Sequence, residues 1–440
     1  MNFQDNHTRN TELLQEQMRI WDEKIKPYFP KNLEEIGANS GALKRKRGIH
    51  SIYDLLKILF LYACEKISFR TLAVAASALG LCAVSDTALR KRFTKATSFL
   101  HKILQLLLSD LVTGFPATKE MKDVLLVDAS IVRQTGIKQE QERIHLCYNL
   151  SQNRMVQIKV TDHHTAESLS HFSFKEGNLV MADAGYGTAK NYIYVCVQKA
   201  DAILRITPAL FCLYDADDQK ISLISKLRQA QKDGQELLEL RGYCKYGNKK
   251  DLVRIIAQKL PNAQAEQAKK RKKRKASKKQ TSIAQDTLLC AEYIVLATTL
   301  GVEYSAEEIL HLYRSRWQIE LLFKRLKQNL SITVAKAGSK QYAETMILLQ
   351  LIIGVIVEGQ QFQFECCLRK KAAELDKEFA FSLYENSRTA FEKIKTILCL
   401  SWALFVEPTD DYIRFMARKK QRRTNQNEEF HSIVLPGLTA

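Results

Sequence analysis

Two short apolar runs, each followed by an aspartate, restrict the fold of this 440-residue chain more than any other feature. In VLLVDAS the aspartate is Asp128, and in LVMADAGYG it is Asp183, which is followed by glycines. Short continuous apolar runs are typical of strands buried on both faces, as in sheets covered by helices. Ligand sites in such sheets collect where strands end. The runs therefore predict an α/β fold in which two buried strands end on a carboxylate.

Two alternating segments lie between these runs. IHLCYNL and VQIKVT both place an apolar residue at every second position, which predicts strands, and their proximity predicts that they are neighbours. Thr165 to Phe172 is expected to form a helix before the second apolar run. The pair His163 and His164 is expected in a loop at a strand end rather than in a metal site.

The composition indicates the class of partner. Lys and Arg outnumber Asp and Glu by 67 to 48, which gives a net charge of +19 and favours nucleic acid over a membrane surface. The longest apolar run, Met346 to Val357, is shorter than the roughly 20 residues of a spanning helix, so we expect a buried core helix. Ten cysteines without a C-x-x-C pair signal neither zinc nor disulfides, and this indicates a reducing cytoplasm.

A basic segment stands out in the N-terminal part, where apolar spacing from Ser51 to about Leu111 is helical. In SDTALRKRFTKA, Ser85 or Asp86 is expected to cap a short helix that carries Arg90 and Arg92. A basic helix in a small helical region is a candidate DNA reader. A solvated charged face is the equally weighted alternative.

Residues 200–300 contain several short apolar or alternating runs, which predict a β-rich region of irregular order. Among them lies KKRKKRKASKK, Lys269 to Lys279, a run too polar for a core. A solvated insertion loop is the favoured interpretation. A loose arm that contacts phosphates by charge alone is the alternative.

The segment YRSRWQIELLFKRLKQNL combines one carboxylate with many cations. Ser305 and Glu308 form a capping-box pattern, which predicts that a helix starts there and runs to about Asn329. Helical spacing gathers apolar side chains on a face that should pack on the sheet. Another face collects the polar members: Tyr313, Arg316, Glu320, Lys324 and Lys327. Considered alone, this face is an ordinary charge lattice.

The two strand-end aspartates change that interpretation. If Glu320 converges with Asp128 and Asp183, the three carboxylates repel one another unless a cation lies between them. Oxygen ligands with open water positions suit Mg²⁺ or Mn²⁺, and two such ions would clamp the attacking and leaving oxygens of a phosphodiester. Arg316 and Lys327 would then hold phosphates of the strand being cut.

These residues resemble a known family. Tyr313, Arg316, Glu320 and Lys327 match in spacing the Y-R-E-K signature of the insertion-sequence-four group of bacterial DDE transposases. VDAS and ADAGYG are similar to the regions of that group's two catalytic aspartates. The resemblance spans about Val124 to Leu330. It implies an α/β fold with a ribonuclease-H-like catalytic core, a β-rich insertion domain and helical N- and C-terminal regions.

The resemblance also implies the chemistry. Asp128, Asp183 and Glu320 would be catalytic and would bind two Mg²⁺ ions, for which Mn²⁺ substitutes. The partners would be DNA, namely the terminal inverted repeats and the target, and the protein would act as a homodimer in the DNA complex, with no membrane involved. By the resemblance, Tyr313, Arg316 and Lys327 would contact DNA phosphates near the cut. Lys324 and Trp317 of the same segment, and Arg90 and Arg92 of the basic N-terminal helix, are further expected DNA contacts. For Trp317, core packing is an equal alternative.

The resulting division of the chain has five parts. Residues 1–118 are expected to form a helical DNA-end-binding region, residues 119–199 the first part of the ribonuclease-H-like core, and residues 200–300 the insertion domain. Residues 301–335 would supply the helix with the third carboxylate. Residues 336–440 would form a helical region that ends in a loosely ordered basic tail, Arg418 to Arg423.

One departure from the family concerns the base that is held flipped out while a hairpin forms. Related enzymes often use a Trp of the insertion domain, and residues 200–300 contain none. Phe211, Tyr214 or Tyr243 could stack on a base instead, although core or surface packing is the more favoured role for each. Two other functions remain open: a nuclease that cuts without strand transfer, and a catalytically idle DNA-binding descendant of a transposase.

Overall fold

The computed structural model describes residues 3–110, 123–134, 141–150, 152, 154–330, 334–335, 340–374 and 383–405. These residues fall into two compact units, one formed by Met1–Phe99 with Lys395–Ala440 and the other by Leu100–Ile394. The expected boundary at residues 118 and 119 and the basic tail from Arg418 to Arg423 lie outside the described residues.

The first unit is helical. Its helices are α1 Phe3–Lys24, α2 Leu33–Asn39, α3 Ile52–Glu65, α4 Phe69–Ala78, α5 Asp86–Lys95 and the start of α6 Thr97–Asp110. Serines begin three of them, because Ser51, Ser68 and Ser85 each accept a hydrogen bond from a backbone N–H of the first turn. The predicted cap at Ser85 is therefore confirmed.

Aromatic packing holds the basic helix α5 in this unit. The ring of Phe93 lies with its centroid 5.1 Å from that of Tyr62 on α3 and 5.8 Å from that of Phe69 on α4. Tyr62 and Phe69 stack at 4.5 Å. Since such rings bury large apolar areas, they fix which face of α5 turns outward.

The second unit is built on a sheet to which eleven described strands belong. The strands are β1 Asp123–Gln134, β2 Gln141–Asn149, β3 Arg154–Asp162, β4 Asn178–Ala182, β5 Asp201–Arg205, β6 Leu213–Tyr214, β7 Lys220–Ile221, β8 Leu237–Tyr246, β9 Lys249–Lys259, β10 Tyr293–Thr298 and β11 Val334–Ala335. Their order is β3-β2-β1-β4-β5-β10-β9-β8-β6-β7, and β11 pairs with β1. Strands from residues 200–300 thus extend the sheet that carries both aspartates.

Strand directions change at β1. β1 and β2 are antiparallel, as are β2 and β3, which confirms that the two alternating segments are neighbouring strands. β1 and β4 are parallel, and so are β4 and β5. All five residues of β4 are buried, as the apolar run predicts for a strand covered on both faces.

The second unit also contains helices, several of which pack on the sheet. They are α7 Ala189–Val197, α8 Leu223–Lys232, α9 Asn262–Lys278, α10 Gln285–Ala291, α11 Ala306–Arg314, α12 Trp317–Asn329, α13 Lys340–Glu374 and most of α14 Leu383–Cys399. Lys340–Gln361 of α13 is long and apolar enough to cross a bilayer, but 89% of its most apolar window is buried inside the protein. The prediction of a buried core helix at Met346 to Val357 is confirmed.

The helix predicted from Thr165 to Phe172 is wrong. Only a three-residue 3-10 turn, Leu169–His171, forms there. Side chains capture the backbone donors that a helix would need: Asp162 Oδ1 accepts from the Thr165 N–H at 2.9 Å, and Asn191 Oδ1 accepts from the Leu169 N–H at 2.9 Å. Such local bonds compete with helix formation.

The loop predicted for the basic run from Lys269 to Lys279 is also wrong, because most of the run lies in α9. Lys, Arg, Gln and Ala are all good helix formers, which the emphasis on charge overlooked. Tertiary contacts anchor the helix near its start, where Ala265 is buried and Lys269 Nζ lies 3.2 Å from Glu292 Oε1.

The single helix predicted from the capping box to Asn329 is two helices, α11 and α12. The capping box of Ser305 and Glu308 is confirmed. The interruption falls at Ser315, whose hydroxyl donates to the Leu312 carbonyl at 2.6 Å. A serine that satisfies a backbone acceptor in this way favours the end of a helix. Tyr313 and Glu320 therefore lie on different helices.

Candidate active site

The sheet brings the two predicted aspartates side by side. The last paired residues of β1 and β4 are Val127 and Ala182, so Asp128 and Asp183 both occupy the next position along neighbouring parallel strands. The prediction that Asp128 ends its strand is wrong, because β1 continues to Gln134 in pairing with β2 and β11. The neighbour β4 does end at Ala182, so Asp128 lies where β1 passes the end of its parallel partner.

Glycines let the loop after β4 pass close to other groups. The Gly185 N–H donates to Asp183 Oδ1 at 2.9 Å. A β-carbon at position 185 would lie 3.1 Å from Asp183 Oδ1 and would collide with the carboxylate of Glu167. A β-carbon at Gly187 would collide with the carbonyl of Arg205. The glycines of ADAGYG thus make room for a crowded carboxylate site.

Glu167 is a site carboxylate that the sequence analysis missed. It lies beside Asp183, and its Oε1 is 3.7 Å from Nη1 of Arg143 on β2. Arg143 also donates to the Thr165 carbonyl at 3.0 Å, which ties the loop after β3 to the sheet. No spacing in the sequence singles out Glu167, because it lies in an irregular loop that tertiary contacts place.

Negative charge accumulates in this site. The pKa of Asp128 is raised to about 7, chiefly by burial and also by Asp183 and Glu167, against the lowering effect of the Ala129 N–H and of Arg316. That N–H donates to Asp128 Oδ1 at 2.8 Å. Burial and Asp183 likewise raise the pKa of Glu167. Burial is the largest cause of both shifts, and the neighbouring carboxylates add to it.

Tyr186 lies against the same carboxylates. Burial, followed by the negative charges of Glu167, Asp128 and Asp183, raises the pKa of its hydroxyl. Among the described residues this hydroxyl has no hydrogen-bond partner, although it is buried. A buried hydroxyl without a partner is costly, so a group that accepts or donates here would stabilise the site.

Tyr313 connects α11 to the strand that precedes Asp183. Its side chain is buried and its hydroxyl donates to the Ala182 carbonyl at 3.4 Å. Burial raises the pKa of Tyr313 to about 12. The Arg316 Cζ lies 5.9 Å from the centroid of the Tyr313 ring, so the tyrosine flanks the guanidinium.

Arg316 joins Glu320 to the aspartates. Its guanidinium forms an ion pair with the Glu320 carboxylate and also lies close enough to Asp128 to lower the pKa of that carboxyl. The side chain of Arg316 is only 15% exposed, against 37% for Glu320. Helix α12, which carries Glu320, contacts β1, which carries Asp128. Arg316 thus lies near both Asp128 and Glu320.

Of the other predicted DNA-contacting residues of α12, Trp317 and Lys324 are more exposed to solvent than Arg316. Trp317 is 57% exposed, so the alternative of core packing is wrong. Lys324 is exposed, and Lys327 is half-buried with its Nζ 6.0 Å from the Phe323 ring. The apolar face of α12 packs as predicted through Ile319, Leu322, Phe323 and Leu326, all buried.

In the first unit, Arg90 is exposed on α5. Arg92 is half-buried and donates to the Arg47 carbonyl at 2.6 Å, so it also supports the local backbone.

The structure places the aromatic candidates and the two histidines in different surroundings. Phe211 is buried in the core of the second unit. Tyr214 and Tyr243 face each other across β6 and β8 and are half-buried. His163 and His164 follow the end of β3, which confirms the loop prediction.

Comparison with known proteins identifies the family. Residues 119–355, more than half of the chain, match the family described as Transposase DDE domain. The chain belongs to the DDE transposase family. A DDE transposase is an enzyme that cleaves DNA strands and transfers them, and it depends on divalent metal.

Individual transposases agree with this assignment. The putative transposase InsL for insertion sequence element IS186A of Escherichia coli K12 is 28% identical over 339 residues, which cover 75% of this chain and 90% of that protein. The transposase for IS421 of Escherichia coli is 28% identical over 340 residues, with the same coverage. The transposase for IS231F of Bacillus thuringiensis subsp. israelensis is 23% identical over 422 residues, or 85% and 86% of the two chains. The resemblance to the insertion-sequence-four type is confirmed.

The donor set of this DDE transposase suits a hard divalent cation. Asp128, Asp183 and Glu167 offer carboxylate oxygens, and a bound cation would favour the charged form of Asp128, whose pKa burial and the two neighbouring carboxylates raise. Within the described ranges, no three His, Cys, Asp or Glu side chains are grouped closely enough to hold one ion. Glu320, the third predicted ligand, is paired with Arg316.

Proposed function

We propose that this transposase recognises the terminal inverted repeats of its own insertion sequence, cleaves the DNA there and joins the ends to target DNA by cut-and-paste transposition. The observation that carries the proposal is the pairing of Asp128 and Asp183 at the end of β4, within a cluster of carboxylates next to Arg316. The names of the similar proteins, which are transposases for insertion sequence elements, support the same substrate.

We propose further that residues 119–199 and 301–335 form a ribonuclease-H-like core, interrupted by an insertion domain at residues 200–300. The order β3-β2-β1-β4-β5, antiparallel up to β1 and parallel beyond it, supports this assignment. Residues 1–118 would bind the repeat ends through the basic face of α5, with Arg90 and Arg92. Residues 336–440 would form a helical C-terminal region.

Asp128, Asp183 and Glu320 are the proposed ligands of two Mg²⁺ ions, for which Mn²⁺ would substitute. The bound ions would supply positive charge that activates water and stabilises the oxygens of the phosphodiester. For Glu320 to bind metal, its carboxylate must exchange Arg316 for the cation. The released guanidinium would then be available to a DNA phosphate, which accepts the same bidentate pairing as a carboxylate.

The remaining residues of the proposed site position the DNA. Tyr313 would hold Arg316 in place from the Ala182 side and approach the phosphates near the cut. Lys324, Lys327 and Trp317 extend the same surface along α12 and would contact the strand beyond the site. If a hairpin forms, Tyr214 or Tyr243 is the aromatic that would stack on the flipped base. The active assembly would be a homodimer on DNA.

The test uses purified full-length protein with Mg²⁺ and a linear duplex that carries the terminal repeat. We expect cleavage at the repeat end and joining to a target plasmid, and we expect Asp183→Asn and Glu320→Gln to abolish both while repeat binding persists. Glu307→Gln, at an exposed position of α11, is the matched control and should retain activity.

Three results would contradict parts of this proposal. Cleavage that survives Asp183→Asn would remove the aspartate pair from the mechanism. Ends that are cut but never joined would identify a nuclease. A protein that binds the repeat but cleaves with neither Mg²⁺ nor Mn²⁺ would be a catalytically idle DNA-binding protein.

A further inference from the structure

Helix α9 presents a continuous cationic face to solvent. From Gln267 to Gln285 the sequence contains no Asp or Glu, while nine Lys or Arg residues fall between Lys269 and Lys279. At 100° per residue, five of them lie within about 140° of one another around the helix axis. These five, all exposed, form the α9 cationic face: Lys270, Arg271, Arg274, Lys275 and Lys278.

The opposite side of the helix attaches it to the second unit. Ala265 is buried, Ala276 is half-buried, and the side chain of Lys269 is 22% exposed. Lys269 Nζ pairs with Glu266 Oε1 at 2.6 Å and with Glu292 Oε1 at 3.2 Å. Lys269 therefore pairs with one carboxylate of its own helix and with one carboxylate next to β10.

Within the described part of the chain, the α9 cationic face has little counter-charge, and the nearest carboxylate is that of Glu266, whose pKa Lys270 helps to lower. Among the described residues, none of its five side chains forms an ion pair with a carboxylate. Like charges four residues apart, as in the series Lys270, Arg274 and Lys278, each destabilise a helix by a few tenths of a kcal/mol. An external polyanion would remove this repulsion.

We propose that the α9 cationic face binds the phosphate backbone of duplex DNA without reading its sequence. The five residues span about 12 Å along the helix axis, a length over which duplex DNA presents about seven phosphate charges. From Lys270 to Lys278 the helix carries no aromatic or amide side chain, so this surface is suited to phosphates rather than to base edges. The proposal deepens the transposase function by assigning a second DNA contact, separate from the repeat-reading region.

The test compares two full-length variants, each lacking five positive charges. The first replaces all five residues of the α9 cationic face with Gln, a good helix former. The matched control replaces five exposed lysines elsewhere in the second unit with Gln: Lys175, Lys190, Lys220, Lys226 and Lys232. Fluorescence anisotropy measures the binding of each protein to a short duplex of unrelated sequence over a series of KCl concentrations, and circular dichroism checks that the helices are retained.

We expect the α9 variant to bind this duplex at least about tenfold more weakly and to show a salt dependence shallower by about 2 to 4, because each phosphate contact contributes about 0.9 to that slope. The control should keep the parent slope. An unchanged slope in the folded α9 variant would overturn the proposal, and so would an equal loss in the control.

Two further measurements separate the remaining outcomes. If the α9 variant no longer binds vesicles that contain phosphatidylserine, while the salt dependence of its DNA binding is unchanged, the face binds lipid and the proposal fails. Repeat-end cleavage by the parent and by Asp183→Asn is assayed in parallel. If the parent cleaves the repeat end but the α9 variant keeps the parent's salt dependence of DNA binding, only the α9 assignment is refuted. If the parent binds no duplex, both proposals are refuted.

Discussion

At the scale of single residues, the site is defined by an excess of negative charge. Asp128 has its pKa raised to about 7 by burial and by the carboxylates of Asp183 and Glu167. Arg316 supplies part of the missing positive charge and pairs with Glu320 at the same time. Arg316 therefore offsets part of the negative charge of both Asp128 and Glu320.

Glu167→Gln should weaken metal binding because it removes a negative charge beside Asp183 while preserving the shape of the side chain. Groups that support metal ligands typically change affinity by about 10-fold to 100-fold when substituted, and we expect a loss near the lower end. Calorimetric titration with Mn²⁺ measures it without DNA.

The control for this prediction is Glu176→Gln, at an exposed carboxylate of the same unit. It should bind Mn²⁺ as the parent does. Equal affinities for the parent and Glu167→Gln would show that Glu167 does not contribute to the metal site.

At the scale of elements, α12 depends on a buried ion pair with α13. Arg325 and Glu358 are both almost fully buried, with Nη2 and Oε2 3.2 Å apart and Nε and Oε1 3.3 Å apart. The two parallel contacts fix the position of α12 along α13. They also fix where Glu320 lies relative to the sheet.

Arg325→Met should lower the free energy of unfolding by about 3 kcal/mol or more, because Glu358 is then buried without its partner. The double substitution Arg325→Met with Glu358→Leu should recover much of this loss, since it buries no charge. Urea denaturation of the parent, both single variants and the double variant gives the coupling energy. Additive losses would show that the pair contributes no specific interaction.

Local sequence patterns predicted some elements and not others. The apolar runs before Asp128 and Asp183 and the capping box of Ser305 depend on nearby residues, so they were recognised. Glu167 enters the site through a loop held by Arg143, and Ser315 interrupts a helix whose spacing looks continuous. The position of Glu167 and the interruption at Ser315 depend on tertiary contacts or hydrogen bonds, which the spacing of apolar residues in the sequence does not reveal. The basic run in α9 differs, because its charge favours a solvated loop whereas the helix propensity of Lys, Arg, Gln and Ala favours the helix that forms.

At the scale of the whole second unit, the sheet is one continuous structure. β10 pairs with β5 on one side and with β9 on the other, so β9 covers an edge of β10 that would otherwise be open. Val253, Ile255 and Ala257 of β9 also belong to the same buried core as Val127 and Val180. The outermost strand in the described order, β7, is only two residues long, which limits pairing with other molecules.

Replacing residues 213–259 with a short Gly-Ser linker should cause aggregation. The deletion exposes the backbone donors and acceptors along β10 and removes apolar side chains from the core. Size-exclusion chromatography of freshly purified protein would show the loss of the parent peak.

The same linker inserted between Gly247 and Asn248, in the turn between β8 and β9, is the control and should leave the elution volume close to that of the parent. A deletion variant that elutes as a folded monomer would show that β10 does not need β9 as a neighbour.

The position of Asp128 beside Asp183 has one more consequence, because the sheet itself sets their separation. Neighbouring strands lie about 4.8 Å apart regardless of which side chains they carry. Core substitutions can therefore weaken this protein without widening the gap between the two aspartates. Only a slip in register could separate them, and a slip of one residue would turn one carboxylate to the opposite face. The two aspartates are therefore neighbours in one strand register only, and a shift to the next register separates them.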